Sequence, residues 1–275
     1  MKSDEALRQT EQAVDELIKA LEEGRSETLV KYLEMLSRFH RYSFGNCILI
    51  AIQRPEATHV AGFQRWKQLG RHVKREEKGI FILAPLVRRP KRDDGEADAD
   101  DEKKPTTVCG FRAVYVFDVS QTEGDPLPQF SGIGGDPGKM VERIEALIGR
   151  HGIELEYDLI LGGSLGRSEG GRIVIREGLN PAERFAVLAH ELAHELLHRS
   201  ERRNETTRQI RELEAEAVAF VVSRSVGLDS LSRSADYIQL YSGDKKLLMQ
   251  SLDHIQKVAS AIIEELTCIA EMAAA

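Results

Sequence analysis

The segment His190-Glu191-Leu192-Ala193-His194 constrains this chain more than any other stretch. Histidines four residues apart on a helix stand one turn apart on one face, so both imidazoles reach the same point in space. The residues ahead of them spell a helix start. Asn180 is a cap, Pro181 sits in the first turn, and Glu183 closes a capping box. A helix opened there carries both histidines into its second half, among Val187, Leu188, Ala189, Leu192 and Ala193. Such a pair suits a zinc ion (Zn2+), and Glu191, beside the first histidine, faces the open side of the metal. There it can take a proton from water and pass it to a leaving group. His190 and His194 are therefore candidate metal ligands and Glu191 the candidate catalytic residue.

A catalytic zinc needs a third protein ligand. The next helical stretch, residues 206–226, sets Glu212, Glu214 and Glu216 among Leu213, Ala215, Ala217, Val218, Ala219 and Phe220. Acids amid so many apolar residues are costly to bury unless they are paired or bound to a metal. Glu212 and Glu216 share a face, whereas Glu214 lies roughly opposite. Glu212 is assigned as the third ligand, which makes the site gluzincin-like, and Glu216 as the acceptor for a ligand histidine N–H. The competing assignment leaves all three acids on a solvated helix face.

His194-Glu195-Leu196-Leu197-His198 is a second, overlapping copy of the pattern. The first frame has uncharged neighbours, while the second runs into Arg199, Ser200, Glu201 and Arg202, so the first is taken as the metal site. His198 is expected at the helix end, facing the C-terminal dipole. It is not read as a metzincin-type ligand, which needs a longer gap and a glycine. Residues 172–176 (Arg-Ile-Val-Ile-Arg) read as a strand, either at a sheet edge, where a substrate backbone could pair with it, or in a sheet interior.

The first half of the chain has a different character. Residues 37–92 hold 13 Lys/Arg against 3 Asp/Glu, a local +10 in a chain of net charge −7. Rings interleave with these cations: Arg41 and Tyr42, Arg65, Trp66 and Lys67, then Arg71, Lys74, Arg75 and Lys78. Single-stranded nucleic acid is held by such pairings, cations following phosphates while rings stack on bases.

Periodicity predicts helices over residues 3–21, 26–39, 43–54, 63–69 and 139–150, and strands over 79–84 and 111–117. Between those strands, residues 93–102 hold seven acids and nothing to bury, which reads as a mobile loop. Residues 121–138, with three prolines and five glycines, mark the expected domain boundary. The expected division is 1–125 and 126–275. The expected fold class is α+β: an N-terminal helical domain with a small antiparallel sheet, then a zincin-like α+β domain. Cys47, Cys109 and Cys268 have no paired spacing, which points to a reducing cytoplasm and away from a disulfide framework or a thiolate zinc cluster. No secretion segment or membrane span is expected, since the longest aliphatic run, residues 48–52, is far short of the roughly 20 residues a span needs.

These residues, in this order, resemble the ArdC-like antirestriction proteins. The resemblance rests on Tyr42-Ser43-Phe44-Gly45-Asn46, on residues 60–71 with Phe63-Gln64-Arg65-Trp66-Lys67-Gln68-Leu69-Gly70-Arg71, and on Gly79-Ile80-Phe81-Ile82-Leu83-Ala84 within residues 78–85. It continues through residues 110–121, ending Asp118-Val119-Ser120-Gln121, to His190–His194 and Glu212-Leu213-Glu214-Ala215-Glu216. It implies an N-terminal domain that binds single-stranded DNA, Asn46 included among the contacting residues, and a C-terminal domain related to the ImmA/IrrE peptidases. In those peptidases a glutamate followed four positions later by Glu or Asn supplies the third ligand, which agrees with Glu212 and Glu216. The acidic stretch 93–102 departs from the pattern, and no oxyanion donor is evident beyond the candidates Tyr237 and Tyr241. The expected function is a zinc-dependent endopeptidase acting with single-stranded DNA, on a protein or peptide substrate such as a DNA-bound regulator or a restriction protein. The alternative is a non-proteolytic protein that coats and shields single-stranded DNA, its metal structural or vestigial. A DNA-free regulator peptidase is disfavoured by the basic block.

Overall fold

The computed structural model describes residues 3–25, 27–88, 107–126, 137–199, 201–228 and 245–274. The acidic stretch 93–102, part of the proline- and glycine-rich stretch, and Tyr237 and Tyr241 lie outside the described residues. Helices and sheets both contribute, so the chain is α+β as expected. It divides into two compact units, Met1–Ala13 with Ile48–Asp125, and Val14–Cys47 with Pro126–Ala275. The cuts at 13/14 and 47/48 fall inside helices α1 (Ser3–Glu22) and α3 (Phe44–Gln53).

The first unit is built on β1 (Val60–Gly62), β3 (Ile80–Arg88) and β4 (Thr107–Asp118), an antiparallel sheet in the order β1-β4-β3. A second, two-stranded antiparallel sheet joins β2 (Arg71–Val73) to β5 (Thr122–Gly124). Ile80, Phe81 and Ile82 are all buried, and Phe81 packs with Ala6 and Leu49, with Leu83 against that cluster. On the side of β3 away from β4, Phe81 is bonded by a side chain. Gln53 donates Nε2–H to the Phe81 carbonyl at 2.9 Å and accepts the Phe81 N–H at 3.0 Å.

Asp118 and Gln121 cap the short 3-10 helix Val119–Gln121 reciprocally. One Asp118 oxygen accepts from the Thr58 N–H at 2.8 Å and the His59 N–H at 3.1 Å, and the other from the Ser120 N–H at 2.9 Å. Those buried bonds hold Asp118 below the usual carboxylate range, against the desolvation that opposes it.

The second unit layers helices α2 (Glu27–Arg38), α5 (Pro137–Arg150), α6 (Pro181–Leu197), α7 (Glu201–Glu205), α8 (Arg208–Ser225) and α9 (Lys245–Ala274) with a three-stranded sheet. Its strands are β6 (Glu154–Asp158), β7 (Gly166–Ser168) and β8 (Arg172–Arg176), in the order β6-β8-β7. β6 runs parallel to β8, and β7 antiparallel to it. β8 is therefore the interior strand, with Ile173, Val174 and Ile175 buried, and β6 and β7 are the two edges.

Candidate metal centre

Helix α6 starts where its sequence says it should. Asn180 Oδ1 accepts the Glu183 N–H at 3.0 Å, and a Glu183 oxygen accepts the Asn180 N–H at 3.4 Å. Phe185, Leu188, Ala189, Leu192 and Ala193 form its buried face, the larger side chains contributing roughly 1.5–3 kcal/mol each. That burial fixes the rotation of α6. Helix α8, capped by Thr207 Oγ1 accepting the Ile210 N–H at 3.2 Å, packs along it.

The two helices bring His190, His194 and Glu212 together. The Nε2 atoms of His190 and His194 lie 3.1 Å apart, and Glu212 Oε2 lies 3.6 Å from each. Two ligands on one tetrahedral zinc lie about 3.3 Å apart, so the spacing fits a shared ion. Among the described residues, these three are the group of potential ligand side chains that converges on one point. Glu212 is 54% exposed at its side chain, so one flank of the cluster is open to solvent. Glu216 stands behind the first histidine, its Oε2 3.3 Å from His190 Nδ1.

Electrostatics follow from this crowding. Burial works against a charge on His190, yet the carboxylates of Glu212 and Glu216 outweigh it and raise the ring to about 9. Glu212 is held far below its ordinary value by hydrogen bonds from the two histidines. Glu191 is pushed up to about 7, first by burial and further by the nearby Glu212 charge, with His190 opposing.

Glu191, the candidate proton carrier, is a buried side chain. It is 6% exposed and lies under β7. A Cβ at Gly166 would stand 2.7 Å from Glu191 Oε1 and 2.7 Å from Val187 Cγ1, so the strand passes there only because position 166 is glycine.

The second motif frame is built into the structure in ways the sequence reading missed. Glu195 is buried and ties down the turn between β7 and β8. Its carboxylate accepts from Ser168 Oγ at 2.6 Å, Gly170 N–H at 2.8 Å and Gly171 N–H at 2.7 Å. His198 caps α6 at the helix end, as expected, but it is turned into the protein. Its ring is buried, burial lowers its pKa, and its nitrogens face His194 Nδ1 at 3.1 Å and Glu214 Oε2 at 3.0 Å. Glu214 is fully buried and also meets Arg202 Nη2 at 2.5 Å. The rule that singled out Glu212, that an acid among apolar residues needs a partner, applied equally to Glu214.

The basic residues of the first half fall into groups. Arg65, Lys67, Lys74, Arg75 and Lys78 are exposed, although Lys74 Nζ donates to the Ser120 carbonyl at 2.9 Å. Arg71 is half-buried and donates to Thr122 Oγ1 at 2.8 Å and the Thr122 carbonyl at 3.1 Å, which ties β2 to β5. Trp66 requires a correction. It is 2% exposed and donates Nε1–H to the Phe117 carbonyl at 2.8 Å, so its ring is core and not a stacking surface. Exposed rings in this unit are Phe63, Phe111 and Tyr115. Arg41, Tyr42 and Asn46 fall in the other unit. Arg41 is exposed and pairs with Glu264 at 3.6 Å, Tyr42 is half-buried, and Asn46 is buried.

A histidine pair on a capped helix, a glutamate on the next helix and an edge strand over the intervening acid define a domain of the metallopeptidase-like class. Residues 150–251 match the IrrE N-terminal-like domain of the peptidase M78 group, and residues 8–117 match the N-terminal domain of anti-restriction factor ArdC. The chain is an ArdC-like protein. Two solved structures of the antirestriction ArdC protein from plasmid R388 share its fold at 20% identity. The Mn(II)-bound form has a TM-score of 0.55 over 94% of this chain and 97% of that one. The metal-free form has a TM-score of 0.52 over 82% and 84%. An uncharacterized Bacillus anthracis protein is 24% identical over 86% of this chain, which spans about half (47%) of that relative's length. Among the described residues, no helix is long and apolar enough to cross a membrane.

Proposed function

We propose that this chain is a metal-dependent endopeptidase that acts together with single-stranded DNA, in an antirestriction role. His190, His194 and Glu212 hold the ion, Glu216 orients His190, and Glu191 moves the proton. The observation that carries this reading is the approach of two Nε2 atoms and one carboxylate oxygen to a common point, with an open flank at Glu212. A structural zinc site is closed by four protein ligands, whereas a catalytic site keeps a free position.

When bound, the ion supplies a Lewis acid for a carbonyl and makes water nucleophilic near neutral pH. Glu191, raised to about 7, would be able to take up a proton from a water molecule and give it to a departing amine nitrogen. β7, the edge strand beside it, is placed to align an extended peptide by strand pairing. Zinc suits the nitrogen-rich donor set, and the relative bound to Mn(II) makes manganese the competing ion.

DNA binding is assigned to residues 1–125 and proteolysis to 126–275, with Val14–Cys47 grouped in the latter's compact unit. The exposed cations Arg65, Lys67, Lys74, Arg75 and Lys78 are the phosphate contacts. Support comes from the local +10 of residues 37–92 and from the match to the N-terminal ArdC domain. Cys47, Cys109 and Cys268 are all free thiols, consistent with a cytoplasmic site of action.

The test is Glu191→Gln in the full chain. Loss of proteolysis with metal and DNA affinity intact supports the peptidase. Undiminished DNA protection by that variant, from a wild type with no measurable proteolysis, favours the shielding alternative.

A further inference from the structure

The overlapping frame His194-Glu195-Leu196-Leu197-His198 shares its first histidine with the metal centre, and its other polar members are buried. Buried polar groups need partners, and those of His198 form a chain. His194 Nδ1 faces His198 Nδ1 at 3.1 Å, His198 Nε2 faces Glu214 Oε2 at 3.0 Å, and Glu214 Oε1 faces Arg202 Nη2 at 2.5 Å.

With His198 a neutral ring, donors and acceptors assign the protons along that chain. Arginine can only donate, so Glu214 is an accepting carboxylate, and the histidine nitrogen facing it carries hydrogen. His198 with hydrogen on Nε2 presents a lone pair at Nδ1. The facing Nδ1 of His194 must then be the donor. That leaves the lone pair of His194 on Nε2, the atom turned toward His190 and Glu212. Glu216, accepting from His190 Nδ1–H at 3.3 Å, sets the other ring the same way.

We propose that His198 is a positioning residue, clamped by Glu214 and Arg202, which accepts the Nδ1 hydrogen of His194 and holds that ligand in the tautomer and ring plane a metal requires. The overlapping motif therefore serves the first site and does not form a second one. Its glutamate is already committed to the β7–β8 turn. This rests on reading His190, His194 and Glu212 as a metal site.

The experiment measures zinc affinity of the full chain against a chromophoric chelator, in wild type, His198→Phe and His198→Asn. Alanine is avoided because a cleft of about 450 Å³ borders His194 and His198, and a water could enter as substitute acceptor. Phe fills the site without an acceptor and is expected to weaken zinc binding about 10–100-fold. Asn offers Oδ1 near the former Nδ1 and is expected to stay within about threefold of wild type. Imidazole ¹⁵N spectra of the zinc-loaded wild type give an answer that needs no variant: hydrogen on Nδ1 of His194 and on Nε2 of His198. Unchanged affinity in His198→Phe, or the opposite tautomer at either ring, overturns the assignment. Binding of neither zinc nor manganese by the wild type overturns the metal reading with it, whereas wild-type binding matched by His198→Phe overturns the positioning role alone.

Discussion

His190 and His194 turn their Nε2 atoms to within 3.1 Å of each other across one turn of α6. Two lone pairs that close repel, so without an ion a proton must occupy the gap. The neighbouring carboxylates supply the reason it stays, holding His190 at about 9.

Metal uptake should therefore depend on pH. Below about 9 the metal-free His190 carries a proton that binding must release, so zinc affinity should rise from pH 7 to 9 and level off above. The sign for stability is the reverse in the metal-free chain. A raised histidine stabilises the fold fully below its unfolded value of roughly 6.5 and loses that contribution as pH rises through about 9. Glu191, raised to about 7, acts in the same direction at lower pH. Melting curves from pH 6 to 10 should show the metal-free form losing stability faster than the metal-loaded form.

Glu191→Gln should reduce peptide hydrolysis about 10²–10⁴-fold, the range for a lost general base. Because burial already disfavours the charge there, the variant should melt at or slightly above the wild-type temperature. A quenched-fluorescence peptide assay with parallel thermal melts checks both.

Gly166→Ala places a methyl group where Glu191 Oε1 would be 2.7 Å away. Glu191 or β7 must shift, while none of the three converging side chains lies on β7. Activity should fall on the order of 10²-fold, the cost of roughly 1 Å of misplacement, with zinc stoichiometry unchanged. Equal loss of zinc would mean the damage is not local to Glu191.

Much of this site was legible in the sequence because its signals are local. The Asn180–Glu183 box fixed the start of α6, and four-residue spacing fixed the shared face of His190 and His194. Glu212, which the structure brings to the two histidines, was singled out by asking why an acid sits among apolar residues. His198 and Glu214 escaped because their partnership joins different elements, and no single-helix pattern encodes it. The short strands β6 and β7 were missed for a similar reason. Their residues are half-exposed, and pairing with β8 alone defines them. Trp66 went the other way: its cationic neighbours suggested a surface ring, but its side chain turns inward to Phe117.

Trp66→Ala should consequently act on the fold, costing about 3–5 kcal/mol, as large buried aromatics do. Lys67→Ala and Arg75→Ala should instead leave melting nearly unchanged. Each should make the slope of log affinity for single-stranded DNA against log salt less steep by about 0.7. Oligonucleotide titrations at several salt concentrations, beside denaturant melts, separate these effects.

The most direct measurement is the metal content and zinc affinity of the purified full chain, wild type against Glu212→Ala. One ion per wild-type chain is expected, with binding in the variant weakened at least about 10²-fold because a ligand is gone. A wild-type chain that binds no divalent ion, or a Glu212→Ala chain that binds zinc as tightly as wild type, would contradict the assignment of His190, His194 and Glu212 as one metal centre.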